Sequence, residues 1–414
     1  MKIRKIDKND RLEILKGDLY AYSRWTNQDL PRSQLTAINP DDVLVAEIDG
    51  EIAAALQCFH WQQSVRGILK PMGGIGGVWT YPEYRNQGCV TALMKSAFLE
   101  MRMQGICVSM LTPFKASFYE SLGYAIANAN YEVNIPVAAL STYLTKKSSS
   151  QTNLSCDRLP ATEVRDILSN FLYESLRSQT LHPHTHAHNH GLAITNFNYD
   201  QWWHLHRNKL CVLVKRDHQP VALAIYAIDS SGNLPFSDRH IEISSIFWTD
   251  LESRDRLFSF FASHRDQIHS IKMPVPLDAN IHTWLRDAGR LQSSMTDPWM
   301  VRIVDIVGAV NGLPIDCEPF TFALSDSHCS WNEGIFRISS HRGQLAVKRY
   351  GNGDFSNLAI DFRATIAGLS ALVYGTQAID ELVHKQLITD IDSNTYELLK
   401  NTFVPCVIYN PFKF

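Results

Sequence analysis

Residues 1–150 alternate short apolar runs with amphipathic segments, which is typical of a domain that mixes strands and helices. Two apolar runs flank Asp49-Gly50, a dipeptide that favours a tight β-hairpin turn. Apolar residues at helical spacing from Val90 predict an amphipathic helix that ends at Gly105. The other elements predicted here are the strands Asp42–Ile48, Glu51–Phe59, Pro71–Tyr81, Ile106–Leu111 and Tyr131–Pro136, and the short helix Lys115–Leu122.

The pattern changes twice further along the chain. A polar, serine-rich stretch, Thr142–Asn153, is the predicted linker to a second unit, and a third begins near Trp299. The sequence therefore predicts an α/β (α+β) protein with segments 1–150, 151–295 and 296–414. In the third segment we predict a strand at Met300–Val307 and helices at Phe362–Leu369 and Ala378–Lys385.

Composition limits the class of protein. A length of 414 residues predicts two to four domains, and the net charge of −3 predicts no nucleic-acid or membrane partner. The start of the chain is too polar for a signal peptide and no apolar run is long enough to span a membrane, so we expect a cytoplasmic protein. The 8 cysteines are scattered, mostly in apolar surroundings, and predict buried, reduced thiols.

The sharpest local motif is the turn Tyr81–Val90, between a predicted strand and a predicted helix. Free backbone N–H groups at a helix N-terminus, together with the helix dipole, bind anions such as a pyrophosphate. Gly88 allows the backbone to approach a phosphate closely, and Arg85 can add charge-assisted hydrogen bonds. The same residues also fit an ordinary strand–turn–helix unit with a glycine in its turn.

The surroundings of this turn match a known family. The spacing V-x-x-x-P-x-x-R-x-x-G, from Val78 to Gly88, and the later SFYESLGY resemble the GNAT acetyltransferases, with Val90 where Gly or Ala is usual. The resemblance implies that acetyl-CoA is the co-substrate. It implies cofactor binding by the strand residues Val78, Trp79 and Thr80, by the turn residues Arg85, Asn86, Gln87, Gly88, Cys89, Val90 and Thr91, and by Phe114 and Lys115.

Transfer of an acetyl group to an amine needs an acid and a base. A phenol, with a pKa of about 10, suits protonation of a departing thiolate, whose thiol has a pKa of about 8.5. Tyr119 in SFYESLGY matches the general acid of the GNAT family. The alternative is that Tyr119 is a core tyrosine on a short helix. Tyr124 is the less suitable neighbour.

The chain end, TFVPCVIYNPFKF, is unusually apolar for a terminus. We expect it to dock into the protein and to carry the carboxylate of Phe414 with it. Burial raises the pKa of a carboxylate and makes it a better base. The alternative is that Phe414 only anchors the last segment.

These features together resemble the enhanced-intracellular-survival (Eis) acetyltransferases, most specifically in the block from GGVWTYPEYR to FYESLGY. The resemblance implies tandem GNAT-like domains followed by a sterol-carrier-protein-like domain. It implies a tyrosine acid, here Tyr119, and a terminal carboxylate base, here that of Phe414. It also implies a homohexamer built from trimers.

Acceptor and metal sites are less marked. The candidates for the acceptor side are Tyr22, Trp25 and Asp29, since an aromatic wall suits a cationic or hydrophobic amine, although plain helix packing also explains the aromatic residues. Five histidines between 182 and 190 would share one face of an extended chain, but no neighbouring Asp, Glu or Cys completes a metal site. We expect a solvated loop there and no metal.

The predicted function is direct transfer of an acetyl group from acetyl-CoA to a primary amine, on a small molecule or a lysine side chain. The alternative is a carrier or regulatory protein that binds acyl-CoA or lipid and has an inactive GNAT domain. The presence of both the Arg85–Gly88 turn and Tyr119 favours the enzyme.

Overall fold

The Asp49-Gly50 turn forms the predicted hairpin. In the computed structural model both turn residues have positive φ, 53° and 88°, and the flanking strands pair antiparallel. This is the backbone conformation that a two-residue hairpin turn requires. The structure describes residues 1–22, 35–36, 38–145, 153–177, 193–194, 208–229, 235, 238–285, 287, 289–350 and 359–412.

The N-terminal part of the chain follows the predicted order of strands and helices. Its strands are β1 (Lys2–Lys5), β2 (Val43–Ile48), β3 (Glu51–Val65), β4 (Ile68–Thr80), β5 (Val108–Leu111) and β6 (Ala125–Ile126). Its helices are α1 (Arg11–Ala21), α2 (Cys89–Met103) and α3 (Ala116–Ser121).

The middle of the chain is a second mixture of strands and helices. Its strands are β7 (Tyr131–Pro136), β8 (Leu154–Pro160), β9 (Ala193–Ile194), β10 (Leu210–Arg216), β11 (Gln219–Ile228), β12 (His240–Trp248), β13 (Ser270–Val275) and β14 (Gln292–Met295). Its helices are α4 (Thr142–Thr145), α5 (Arg165–Arg177) and α6 (Leu251–Ala262).

The last part of the chain is also mixed. Its strands are β15 (Met300–Ile303), β16 (Phe320–Ser325), β17 (Gly334–His341), β18 (Gln344–Arg349), β19 (Phe362–Thr365) and β20 (Ile388–Thr389). Its helices are α7 (Ile306–Val310), α8 (Ile366–Tyr374), α9 (Ile379–His384) and α10 (Ser393–Thr402).

One compact unit contains residues 1–127 and 298–406. Its larger sheet has the order β1-β2-β3-β4-β5-β15-β6, and a second sheet has the order β18-β17-β16-β19-β20. Alternate residues of β2 enter two cores, one packed with α2 and the other with Ile14 of α1, because successive side chains of a strand point to opposite faces. The helices α1 and α2 therefore cover opposite faces of this sheet.

The other compact unit contains residues 128–297 and the segment that begins at Val407. Its sheet has the order β14-β7-β13-β12-β11-β10-β8, and α6 contributes Leu257, Phe258 and Phe261 to its core. The pairing of β7 with β13 and β14, and of β15 with β5 and β6, crosses the predicted segment limits at residues 150 and 295. The three-segment division itself stays a prediction.

Two predicted elements of the third segment are wrong. The strand predicted at Met300–Val307 ends at Ile303, because the Asp305 side chain accepts a hydrogen bond from the Gly308 N–H and starts α7. The helix predicted at Phe362–Leu369 is a strand up to Thr365, whose hydroxyl caps α8 in the same way.

The cysteines are all free thiols, and 5 of them are buried. The other three, contrary to the prediction, are half-buried, and they are Cys156, Cys317 and Cys406. Among the helices that the structure describes, none combines the length and the apolar character needed to cross a bilayer.

Candidate active site

Part of one edge of strand β4 pairs with no other strand among the described residues. Its antiparallel pairing with β3 runs along most of its length, but its parallel pairing with β5 covers only Met72 to Ile75. Beyond that point β4 continues to Thr80, whereas β5 ends at Leu111. A shift in the β3–β4 register next to Gly77, whose φ is 55°, increases the local twist. The part of β4 beyond Ile75 can therefore pair through its backbone with an extended, amide-bearing chain.

The side chains at the end of β4 point to opposite faces of the sheet. Val78 packs against the core beneath α2, whereas Trp79 is 4 % exposed and packs in the core on the α1 side. A Cβ atom on Gly17 of α1 would lie 2.2 Å from the Trp79 ring, so the indole fills the space that this glycine leaves. Thr80 is half-buried and pairs with Ala54. These positions can contact a ligand through their backbone, which is the role that the GNAT resemblance implies.

Two left-handed residues shape the turn between β4 and α2. After a 3-10 turn at Pro82–Tyr84, Asn86 and Gly88 have φ of 62° and 78°. Gly88 is the N-cap of α2, and no side chain caps this helix end. The first N–H groups of a helix have no intrahelical acceptor, and the helix dipole adds positive potential. The turn therefore has the backbone geometry of an anion site.

The side chains of the turn divide between solvent and core. The exposed residues are Arg85, Asn86, Gln87 and Gly88, and the half-buried ones are Val90 and Thr91. The Gln87 amide donates a hydrogen bond to the Glu83 carbonyl at 3.3 Å. Cys89 is 3 % exposed, and its thiol donates to the Tyr84 carbonyl at 3.8 Å. Val90 packs against the core, which accommodates a side chain larger than the usual Gly or Ala.

Tyr119 lies in α3 and is 2 % exposed. Its ring packs edge-on against Phe118 and Phe114, at centroid distances of 5.1 and 5.6 Å. Burial, with a smaller contribution from Tyr22, raises the pKa of the Tyr119 hydroxyl above its ordinary value. No residue in the described part of the chain forms a hydrogen bond with this hydroxyl. The phenol is therefore protonated at neutral pH, and none of the described residues accepts its proton in a hydrogen bond.

Tyr124 differs from Tyr119 in this respect. Tyr124 is fully buried, and its hydroxyl lies 2.7 Å from the Ser109 hydroxyl. The Ser109 hydroxyl in turn donates to the Gly73 carbonyl at 2.7 Å. The Tyr124 hydroxyl is therefore the donor to the Ser109 hydroxyl, and its proton is held in this buried hydrogen bond. This contact gives Tyr124 a structural role.

The far wall predicted for the cofactor lies between β5 and α3. Phe114 is 73 % exposed and stacks against Phe118, with ring centroids 6.0 Å apart. Lys115 is exposed and is the N-cap of α3, without a side-chain capping bond. An aromatic ring this exposed, in contact with the Tyr119 ring, is suited to cover a bound ligand.

On the acceptor side, the structure adds a contact that the sequence did not predict. The Tyr81 hydroxyl at the end of β4 donates to the Glu13 carboxylate of α1 at 2.7 Å. These two residues are 68 positions apart, so no local pattern relates them. Tyr22 is 50 % exposed and lies near enough to Tyr119 to raise its pKa. The other predicted acceptor residues, which lie outside the described residues, are Trp25 and Asp29.

In the described part of the chain end, Val404 and Pro405 are exposed, whereas Ile408, Tyr409, Asn410 and Phe412 are buried. Asn410 is 1 % exposed, and its amide donates to the Phe412 carbonyl at 3.1 Å and accepts from the Phe412 N–H at 3.4 Å. The Asn130 amide donates to the Asn410 carbonyl at 2.8 Å, and the Phe412 ring lies 5.7 Å from that of Phe247. The predicted docking is therefore found up to residue 412. Phe414 lies outside the described residues.

In the second unit, helix α6 corresponds to α2, and a side chain caps its N-terminus. Strands β12 and β13 pair in parallel, and α6 follows β12 almost directly. Asp250 is the N-cap of α6, and its carboxylate accepts from the Ser253 N–H at 2.8 Å. Arg216 pairs with Asp250 at 2.8 Å. A carboxylate thus occupies the place of an anion and would repel a phosphate.

Metal ligands do not gather in the described parts of the chain. There, no three His, Cys, Asp or Glu side chains lie close enough together to hold a metal ion. The five histidines between 182 and 190 lie outside the described residues.

Three family models match successive parts of the chain. Residues 2–127 and 198–303 each match an acetyltransferase (GNAT) domain, and residues 306–407 match a sterol carrier protein domain. Together with the open turn after β4, these matches define the class: the protein is a GNAT acetyltransferase. Two GNAT domains followed by one sterol carrier protein domain is the order that the resemblance to the Eis acetyltransferases implied. Acetyl-CoA is the acyl donor that GNAT domains use.

Solved structures share this fold over the full chain. A GCN5-related N-acetyltransferase from Anabaena variabilis has a TM-score of 0.81 at 17 % identity, covering 100 % of both chains. A probable N-acyltransferase from Enterococcus faecalis has a TM-score of 0.80 at 19 % identity, covering 100 % of this chain and 99 % of its own. Eis1 from Mycobacterium abscessus has a TM-score of 0.77 at 17 % identity, covering 100 % of both chains. No curated protein matches the sequence.

Proposed function

We propose that the first GNAT domain transfers an acetyl group from acetyl-CoA directly to a primary amine. Tyr119 is the general acid and the terminal carboxylate of Phe414 is the general base. The observation that carries the proposal is the buried Tyr119, with a raised pKa and a hydroxyl that no described residue engages, in the same domain as the uncapped helix end at Gly88.

In the proposed reaction the amine nitrogen attacks the thioester carbonyl carbon. A C–N bond forms and the C–S bond breaks, and the electron pair of that bond leaves with the CoA sulfur. The Phe414 carboxylate removes one proton from the ammonium group and frees the nitrogen lone pair for attack. After the attack the nitrogen gives its second proton to solvent, and the Tyr119 hydroxyl gives one proton to the thiolate. Solvent exchange restores both groups. The products are an N-acetyl amine and free CoA, and no cysteine forms a covalent intermediate.

The cofactor would lie along the open edge of β4, with its pyrophosphate at the turn. Backbone groups of Val78 to Thr80 would pair with the pantetheine amides, and N–H groups from Asn86 to Thr91 would bind the phosphates. Arg85 is exposed and free to add charge-assisted hydrogen bonds. Phe114 and Lys115 would cover the far side. This placement is supported by the end of the β4–β5 pairing at Ile75 and Leu111.

For the acceptor we propose an amine that is protonated in solution. Tyr22 lies near Tyr119, and the Glu13 carboxylate lies at the end of β4 through its bond to Tyr81. Aromatic faces and a carboxylate suit a cation. Trp25 and Asp29 remain candidates on this side. The acceptor itself, the homohexamer and the cytoplasmic location stay predictions.

Substitution of Tyr119 and, as a control, of Tyr124 tests the proposed general acid. We expect Tyr119→Phe to lower kcat about 100-fold, because the thiolate loses its proton donor, while the Kd for CoA stays nearly unchanged. Tyr124→Phe is the matched control: it should keep most of the wild-type rate and lose about 1 kcal/mol of stability with its hydrogen bond. The measurement is release of free thiol with a panel of amines. A wild-type rate for Tyr119→Phe would remove its role.

A tag on the chain end tests the base. A short peptide added after Phe414 moves the terminal carboxylate away, so activity should fall while CoA affinity and thermal stability stay unchanged. The same peptide at the N-terminus is the control. Full activity of the C-terminally tagged protein would mean that another group is the base. If the untagged protein binds CoA but releases thiol with no amine, the carrier alternative is favoured.

A further inference from the structure

The helix that carries Tyr119 is short and is fixed at its C-terminal end. It spans six residues, Ala116–Ser121, and so short a helix is not stable on its own. Gly123 has a φ of 83°, and the Tyr124 N–H donates to the Tyr119 carbonyl at 3.0 Å while the Gly123 N–H donates to the Glu120 carbonyl at 2.9 Å. This is a Schellman motif, and it leaves the last two carbonyls of the turn without a local partner.

Both of these carbonyls accept hydrogen bonds from residues beyond position 298 in the chain. Arg302 of β15 donates from Nη1 to the Leu122 carbonyl at 2.6 Å. His328 donates from Nε2 to the Ser121 carbonyl at 2.9 Å, since a carbonyl can only accept. Cationic or polar donors at a helix C-terminus also interact favourably with the helix dipole. The end of α3 is therefore held from outside the N-terminal 127 residues.

Arg302 is itself held rigidly. Its Nη2 lies 2.8 Å from both carboxylate oxygens of Asp326, and both side chains are fully buried. Nη2 also lies 3.1 Å from the Cys329 sulfur. The guanidinium sits 4.4 Å from the centroid of the Phe98 ring, which belongs to α2. One arginine thus contacts both the helix that starts at the proposed phosphate turn and the helix that carries the proposed acid.

Asp326 connects Arg302 to the loop that contains His328. Its Oδ1 accepts from the backbone N–H groups of His328 and Cys329, each at 3.2 Å. Its Oδ2 accepts from the Asn332 amide at 3.0 Å. The ion pair therefore sets the position of the loop as well as that of Arg302. Asp326 and His328 both lie in the segment that matches the sterol carrier protein domain.

We propose that Arg302 and His328 are positioning residues for Tyr119, and that the loop between β16 and β17, in the sterol carrier segment, thereby takes part in acetyl transfer. Neither side chain contacts the reacting atoms. They fix the end of α3 and so fix the direction of the Tyr119 hydroxyl. The inference rests on the proposed role of Tyr119 as the acid.

The half-buried His328 offers the cleaner test, because Arg302 variants risk misfolding. We expect His328→Ala to lower kcat about 5- to 10-fold, because α3 loses one of its end contacts, with the KM for acetyl-CoA within about twofold of wild type. His328→Gln, whose amide can donate to the same carbonyl, should restore most of the rate. His341→Ala, at an exposed histidine of β17, is the control and should behave as wild type.

A double variant separates positioning from general destabilisation. In a Tyr119→Phe background, His328→Ala should cause no further loss of kcat, because the hydroxyl whose direction it sets is gone. Equal losses in both backgrounds would overturn the proposal, and so would a wild-type kcat for His328→Ala. If Tyr119→Phe alone keeps the wild-type rate, it is the proposed acid that fails. Arg302→Lys, with its folding checked by thermal unfolding, should lower kcat in the same Tyr119-dependent way.

Discussion

At the scale of single residues, the site depends on backbone conformations that few side chains allow. Asn86 and Gly88 both have positive φ in the turn before α2. Gly105, just after the same helix, also has positive φ, at 73°. A Cβ atom on Gly88 or on Gly105 would meet no other atom within 4 Å, so both positions have space for a methyl group. Both glycines therefore need a positive φ, but a ligand is expected only beside Gly88.

This pair gives a matched test of the proposed phosphate turn. Gly88→Ala and Gly105→Ala should each cost about 1–2 kcal/mol of stability, because an L-residue is strained in the left-handed region. Only Gly88→Ala should also weaken CoA binding, by about 10-fold, since its methyl group limits the approach of the pyrophosphate. Thermal unfolding and calorimetric titration with CoA measure the two effects. Equal CoA affinities for both variants would place the phosphates elsewhere.

At the scale of elements, the two GNAT domains differ in how the helix after the central strand begins. Helix α2 begins at a glycine that offers no side-chain cap. Helix α6 begins at Asp250, which accepts from the Ser253 N–H and pairs with Arg216. The N-terminus of α2 in the first domain is thus available to an anion. The N-terminus of α6 in the second domain already interacts with the Asp250 carboxylate.

We therefore expect one CoA to bind per chain. Arg85→Ala should weaken CoA binding about 10-fold by removing a charge next to the phosphates. Arg216→Ala removes the ion-pair partner of Asp250, the N-cap of α6 in the second domain. It should leave CoA affinity unchanged and lower thermal stability slightly, because this surface pair is worth up to about 1 kcal/mol. Calorimetry gives both stoichiometry and affinity. Two sites per chain, or a loss of affinity in Arg216→Ala, would contradict this assignment.

At the scale of the whole molecule, segments distant in sequence complete each other's sheets. Strand β15, at Met300–Ile303, lies between β5 and β6, and strand β7, at Tyr131–Pro136, lies between β13 and β14. The chain end is bound by Asn130 through the Asn410 carbonyl. The proposed catalytic groups therefore depend on contacts made by widely separated parts of the chain.

The tail can be loosened without changing its terminal carboxylate. Asn410→Ala removes both side-chain hydrogen bonds to the Phe412 backbone, at a cost of about 1–3 kcal/mol to tail docking. We expect kcat to fall at least about 10-fold, with CoA affinity unchanged. Asn401→Ala, at an exposed position of α10, is the control. The rate of proteolysis of the tail shows whether the substitution has loosened it, and kcat is measured on the same variant. A loosened tail with full activity would argue against Phe414 as base.

Much of the structure of residues 1–150 follows from local sequence. The Asp49-Gly50 hairpin, the strand Tyr131–Pro136 and the amphipathic helix after Gly88 lie where the pattern predicts them. The prediction fails at Phe362–Leu369, where four residues pair in parallel with β16, about forty positions earlier. A run of that length, apolar apart from Arg363 and Thr365, fits a strand or the start of a helix, and the distant partner decides between them.

The sequence by itself determined the glycine-opened turn, the placement of Tyr119 on a short helix and the apolar tail, because backbone conformation and periodicity are local properties. The tertiary structure decided which tyrosine keeps its proton available, because Ser109 engages Tyr124 and not Tyr119. It also decided that Arg302 and Asp326 pair beneath the helix of Tyr119. Burial and pairing arise only when distant segments meet, and no residue pattern along one segment encodes that meeting.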